Sequence, residues 1–222
     1  MCGRFTMATS GEIIADVFGL SAVPKLAPRY NIAPTQDVAA IRCDEGSRRA
    51  FTLLCWGLIP SWASDAAIGN RMINARAETL AEKPAFRAAL RSRRCLVIAD
   101  GFYEWQKFGA RKQPHLVRFR DGRPFAFAGL WERWQPGTGD AVESCTIVTT
   151  AANEVVAPVH DRMPVILDET GIATWLDPGG RDAGALAPLL TPFPAGEMEA
   201  FPVGLLVNNP ANDVSQCRDR LR

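Results

Sequence analysis

Arg94-Cys95-Leu96-Val97-Ile98-Ala99-Asp100-Gly101-Phe102-Tyr103-Glu104-Trp105 is the stretch that decides how this chain is read. Residues 94–99 form a short apolar run of the kind a buried β-strand makes, and Gly101–Trp105 reads as the turn that follows it. Working outward, similar β-like runs lie at 38–43, 50–55, 115–119, 125–130 and 145–150. Helical stretches are expected at 10–18, 84–91, 151–157, 169–175 and 182–190. In the first of these, Thr9 and Glu12 have capping-box spacing, Ile13, Ile14, Val17 and Phe18 share a helical face, and Gly19 is a stop. Arg29–Thr35 reads as a Pro-punctuated loop. Strands outnumber helices, and no β-α-β alternation with a Gly-rich phosphate loop occurs. The expected fold class is therefore α+β: one domain over 1–222, built on a curled, mostly antiparallel, barrel-like sheet with short flanking helices.

Composition sets the outer bounds. Of 222 residues, 47% are hydrophobic and 22% charged, the balance of an ordinary globular chain. No apolar run approaches the roughly 18–20 residues that span a bilayer. Met1–Phe5 is not a basic segment leading into an apolar one, so no secretory signal is expected. The six cysteines are scattered without C-x-x-C spacing and only two histidines accompany them, so no metal site is expected and a reducing cytoplasm is the natural compartment. The net charge of +1 hides an asymmetry. Residues 71–123 carry thirteen basic against five acidic side chains, and residues 124–222 six against thirteen. Such a basic segment either marks a polyanion-binding face or is a solvated face packed near acidic neighbours.

Several residues could carry chemistry. Cys2 either merely follows the start codon or, once Met1 is trimmed, presents a free α-amine and a thiol on adjacent carbons. With ordinary pKa values of about 8 and about 8.5, both are partly available as nucleophiles at neutral pH. A 1,2-aminothiol condenses with an aldehyde to an imine and closes to a thiazolidine. His160, on the loop Pro158-Val159-His160-Asp161-Arg162-Met163-Pro164, is placed as a general acid/base or as a satisfied structural histidine. His115, in a β-like run, reads as structural. Glu104 lies between aromatic rings, which desolvate a carboxyl and raise its pKa, unless an arginine pairs with it. Asn74 and Arg76 share a face of an extended segment, one suited to a substrate oxygen and the other to phosphate, or else form a polar turn with Glu78. Trp56 reads as core. Trp62 is open to base stacking.

Jointly these features resemble the SOS response-associated peptidase (SRAP) family of abasic-site processing proteins. The resemblance rests on seven blocks in order: Met1-Cys2-Gly3-Arg4-Phe5, Tyr30–Thr35, Trp56–Trp62, Asn74–Thr79, Arg94–Trp105, Phe127–Glu132 and Thr149–Pro164. Ile98 stands where the family often has proline, and 177–200 matches least. The resemblance implies capture of an abasic site in single-stranded DNA, often near a junction with duplex, as a thiazolidine crosslink that shields the lesion. It implies Cys2 as nucleophile, Asn74 holding the sugar oxygen or the cysteine, Glu104 exchanging protons at the imine, and His160 acting during ring opening. Arg4, Arg76 and Arg162 are implied phosphate contacts, with Asn31, Trp62 and Thr149 lining the groove. No metal or cofactor is expected, and the expected partner is single-stranded DNA, met by a protein expected to be monomeric and cytoplasmic.

Three other readings remain open on these residues. The same Cys2, Glu104 and His160 could form a thiol peptidase, acting on other proteins or only on the Met1–Cys2 bond. The chain could bind single strands non-covalently with an incidental cysteine. An imine formed at the α-amine could also pass to β-elimination, giving lyase activity.

Overall fold

The computed structural model describes residues 2–44, 46–180 and 182–221, with only the backbone of Ala183. In chain order its elements are β1 Phe5–Met7, α1 Gly11–Phe18, β2 Arg29–Ile32, β3 Asp37–Cys43, β4 Arg49–Trp56, β5 Asn74–Arg76, α2 Pro84–Ser92, β6 Arg94–Ala99 and β7 Gly101–Phe108. There follow β8 Arg111–Phe119, β9 Phe125–Trp134, β10 Val142–Ala151, β11 Arg162–Pro164, β12 Ile166–Leu167, α3 Glu169–Leu176, α4 Ala183–Leu186 and β13 Met198–Pro202. One sheet runs β13-β8-β7-β1-β2, and the other β11-β10-β4-β3-β6-β9-β12. A further β9–β10 pairing closes β10, β4, β3, β6 and β9 into a ring, and β5 adds to β10. All pairings are antiparallel except β10 with β4 and with β5. The fold is thus the mixed α+β, largely antiparallel, barrel-like arrangement expected.

One hydrophobic cluster joins the two sheets. Phe5 of β1 packs edge-on to Trp56 of β4 and to Phe127 of β9, so the strand behind Cys2 is anchored in the barrel interior. β6 is buried at all six positions, which explains why 94–99 reads as an unbroken apolar run. Ile98 pairs with Ala126 in an unbroken register. Gly57 (φ +135°) and Gly69 face each other so closely that a Cβ on either would lie 2.7–2.8 Å from the other's carbonyl oxygen. That approach holds the Trp56–Trp62 segment against 66–71.

Four local expectations are corrected. Residues 29–32 are a strand rather than loop, because β1 supplies a partner edge. Gly101–Trp105 is not a turn but the start of β7, pairing with both β1 and β8. Residues 151–157 do not form a helix. The Asn153 side chain caps one turn by accepting from the Val155 and Val156 amides (3.1 and 3.0 Å), but Pro158 has no amide with which to extend it. At α1 the N-cap is Ser10, and Thr9 instead donates its hydroxyl to Asp100 (3.0 Å). The buried face of that helix is Gly11, Ile14, Ala15 and Phe18, leaving Ile13 and Val17 about half exposed.

Candidate active site

β1 enters between β2 and β7, with Phe5 opposite both Ile32 and Phe102. The ladder continues one residue toward the N-terminus, where the Tyr103 amide donates to the Arg4 carbonyl (2.9 Å). This carries Cys2 into the interior, where it is fully buried. Its carbonyl accepts a 2.7 Å hydrogen bond from Asn74 Nδ2. Asn74 is placed by β5, which pairs parallel to β10, while Trp56 Nε1 donates to the Ile73 carbonyl (2.9 Å) and fixes the entry to that strand. Asn74 Oδ1 is buried and has no hydrogen-bond partner among the described residues. The amide therefore holds the cysteine backbone with one end and offers an acceptor with the other.

Glu104 comes from β7, the strand against which residues 4–6 lie, and is 3% exposed. Desolvation lifts its carboxyl to about 7, against the bond from the Trp105 amide that favours the charged form. It is close enough for its charge to act on the Cys2 thiol, which burial, first, and then Glu104 push well above the ordinary range. His160 lies on the half-buried loop after the Asn153 turns, tied to β7 by Gln106 Nε2 donating to the Pro158 carbonyl (2.9 Å). Burial lowers its pKa, so the ring is neutral at pH 7. Its Nδ1 lone pair accepts the Arg162 amide (3.0 Å), which assigns the ring proton to Nε2. The exposed Asp161 carboxylate, 2.9 Å from the same Nδ1, becomes a partner only when the ring is protonated. Asp161 also adds to the upward pressure on Glu104, so the loop and the carboxyl share one electrostatic environment.

The other expected contacts separate into exposed and engaged groups. Arg76 and Trp62 (61% exposed) face solvent. Arg162 is only 13% exposed; it forms a bidentate pair with Glu78 (2.9 and 3.0 Å) and donates to the Thr149 carbonyl (2.5 Å). Glu78 thus pairs with Arg162, not in the Arg76 turn considered above. Arg4 donates to Asn31 Oδ1 and the Val207 carbonyl, both at 2.8 Å. Asn31 is fully buried, its amide donating to the carbonyls of Val207, Asn209 and Asn212. Thr149 is also fully buried beneath Arg162. Asn31 and Thr149 therefore hold other groups in place rather than presenting polar atoms to a groove. His115, expected to be structural, stands on β8 directly across from Glu104, its Nδ1 3.2 Å from the Gln113 carbonyl oxygen.

Two carboxylates that sequence reasoning missed complete the scaffold. Asp213 accepts from the Tyr30 and Asn31 amides (2.5 and 3.0 Å) and from Arg29, clasping the chain end onto β2. Asp100, 3% exposed, accepts from the Thr6 hydroxyl, the Ala8 amide (2.8 Å) and Thr9, locking the turn after β1. For Asp100 its place at the end of an apolar run was the available signal. Asp213 had none.

Comparison with known proteins identifies relatives of the chain. The family model described as SOS response associated peptidase (SRAP) matches residues 1–210. The abasic site processing protein YoqW of Bacillus subtilis is 45% identical over 217 residues, covering 96% of each chain. The abasic site processing protein HMCES of Xenopus tropicalis is 30% identical, covering 87% of this chain and 66% of that protein. Among solved structures, a Bacteroides thetaiotaomicron protein superposes with a TM-score of 0.89 at 27% identity over the whole of both chains.

Proposed function

The chain belongs to the SOS response associated peptidase family, and from that premise we propose that it processes abasic sites in DNA by capturing them covalently through Cys2. The observation that carries the reading is the 2.7 Å bond from Asn74 to the Cys2 carbonyl, beside a Glu104 carboxyl raised to about 7. The substrate is the ring-opened sugar aldehyde of an abasic site in single-stranded DNA, and the reactive form is the chain with Met1 removed. Met1 itself lies outside the described residues.

The α-amine of Cys2 adds to the aldehyde carbon, and the carbinolamine loses water to give an imine. Sulfur then bonds to the imine carbon while the thiol proton ends on nitrogen. One water is released and no oxidant is needed. Because the thiol is held far above neutrality, its proton leaves as the C–S bond forms rather than beforehand, and Glu104, balanced between its two forms, relays it. Neutral His160, donor at Nε2 and acceptor at Nδ1, assists ring opening. Asn74 Oδ1 accepts from a sugar hydroxyl or the amine. Arg76 and Trp62 meet the strand from solvent, one through phosphate and the other by stacking.

The test is a denaturing gel of the protein with single-stranded DNA carrying one abasic site, beside undamaged DNA and Cys2→Ala. A heat-stable band that needs both lesion and Cys2, with adduct mass one water below the sum of the parts, is expected. Absence of the band in protein shown by mass to lack Met1 overturns the reading. Strand cleavage by Cys2→Ser would add lyase chemistry at the retained amine. Cys2-dependent turnover of a peptide library would instead indicate a peptidase.

A further inference from the structure

The tertiary structure sorts the basic segment 71–123. Arg93 pairs with Glu132, Arg118 with Glu199, and Arg123 with Asp121 and Glu197. Arg94 is buried on the carbonyls of Leu90, Trp175 and Asp177. These charges are spent on the fold. Lys107, Arg111 and Lys112 are not. All three are exposed at the tip of the β7–β8 hairpin, and none enters an ion pair among the described residues.

The tip is arranged against its own stability. Lys107 stands directly opposite Lys112, and Phe108, 59% exposed, opposite Arg111. Like charges face to face across a ladder repel, and a bare phenyl ring among cations gains nothing from water. A polyanion between the lysines would relieve the first cost and a flat apolar partner on the ring the second. The tip also adjoins the candidate site. Glu104 and Phe108 lie on one face of β7, about 13 Å apart at roughly 3.3 Å per residue, with Arg111 opposite Phe108, while Lys107 and Lys112 stand on the other face of the hairpin. The next residue along that strand from Trp105, Gln106, is the one bonded to the His160 loop.

We propose that the β7–β8 hairpin tip is a second nucleic-acid contact, in which Lys107, Arg111 and Lys112 grip phosphates of single-stranded DNA on one flank of the lesion while a neighbouring base stacks on Phe108. The contact rests on reading the adjacent site as one for abasic DNA. Cations on both faces of the hairpin edge, beside an exposed aromatic ring, supply the charge and the stacking surface that bind single strands without regard to sequence, as suits a lesion that can occur anywhere.

The experiment measures anisotropy of a labelled, undamaged single strand against salt concentration for wild type, Lys107→Gln/Lys112→Gln and Phe108→Ala. Melting midpoints confirm that these exposed substitutions leave the fold intact. The double variant is expected to lower the log–log salt slope by about 1.4, at roughly 0.7 per phosphate contact. Phe108→Ala is expected to weaken binding about five-fold or more. Polyglutamate, a polyanion without bases, serves as the comparison ligand and should be indifferent to Phe108. Unchanged slope and affinity overturn the proposal, as does an equal loss of polyglutamate binding in Phe108→Ala, which would make the tip a docking face for acidic protein. Because the readout is non-covalent, a protein that binds through its tip but forms no crosslink refutes only the capture chemistry. One that crosslinks with no effect of the tip variants refutes only the tip.

Discussion

Replacing Glu104 by Gln should stabilise the protein above neutral pH while removing its chemistry. The carboxyl is 3% exposed and desolvation lifts it from 4.5 to about 7. In the window between those values the folded state holds a proton that the unfolded state has released, so stability falls as pH rises through it. At about 1.4 kcal/mol per pH unit, the displacement comes to about 3 kcal/mol. A glutamine of nearly the same shape carries no such penalty. Urea unfolding of both proteins should therefore give nearly equal stabilities below pH 4.5. Well above pH 7 the variant should lead by about 3 kcal/mol, or about 6–12 °C in melting midpoint for a chain of this size. Crosslinking by wild type should follow a titration centred near pH 7, and that inflection should vanish in the variant. Stability profiles that run parallel across the whole range would refute the claim that Glu104 is held as a desolvated, proton-exchanging group.

Asn74→Ala removes the bond to the Cys2 carbonyl and should slow crosslink formation at least ten-fold in single-turnover kinetics, with affinity for an undamaged strand unchanged. Arg162→Ala leaves the Thr149 carbonyl unmatched and Glu78 alone, and should cost about 1–3 kcal/mol in urea unfolding; Arg162→Lys, which cannot make the bidentate contact, should recover only part of it. Asp213→Ala deprives two backbone amides and Arg29 of their shared acceptor. It should lower the melting midpoint and open residues 203–221 to limited proteolysis before the rest of the chain.

How much of this was legible from the chain depended on the range of the contacts involved. The strands at 94–99, 38–43, 50–55 and 125–130, and the helices at 84–91 and 169–175, are written in local periodicity, and they formed within a few residues of the expected bounds. The strand at 101–108 was misread because Gly101 and the polar Glu104 look like punctuation until β1 and β8 are placed on either side. The helix expected at 151–157 failed for the opposite reason: Asn153 caps a first turn, but Pro158 lacks the amide that would have continued it.

At the candidate site, an aminothiol, an amide, a ring-flanked carboxyl and a loop imidazole made Cys2, Asn74, Glu104 and His160 candidates through their own covalent chemistry, and the roles expected of them came from the resemblance. The chain by itself also announced a surplus of basic residues in 71–123. It left open whether Asn74 would hold the cysteine or the sugar, and could not say that the bond would fall on the Cys2 carbonyl 72 positions away, or that Arg4, Asn31 and Asp213 would tie the two ends of the chain together across more than 180. Nor could it say which arginines would be consumed by carboxylates and carbonyls and which lysines left facing solvent. Reactivity belongs to a side chain and is carried in the sequence. Burial, pairing and the resulting proton affinities belong to whatever the fold brings within a few ångströms, and that is decided only when distant strands meet.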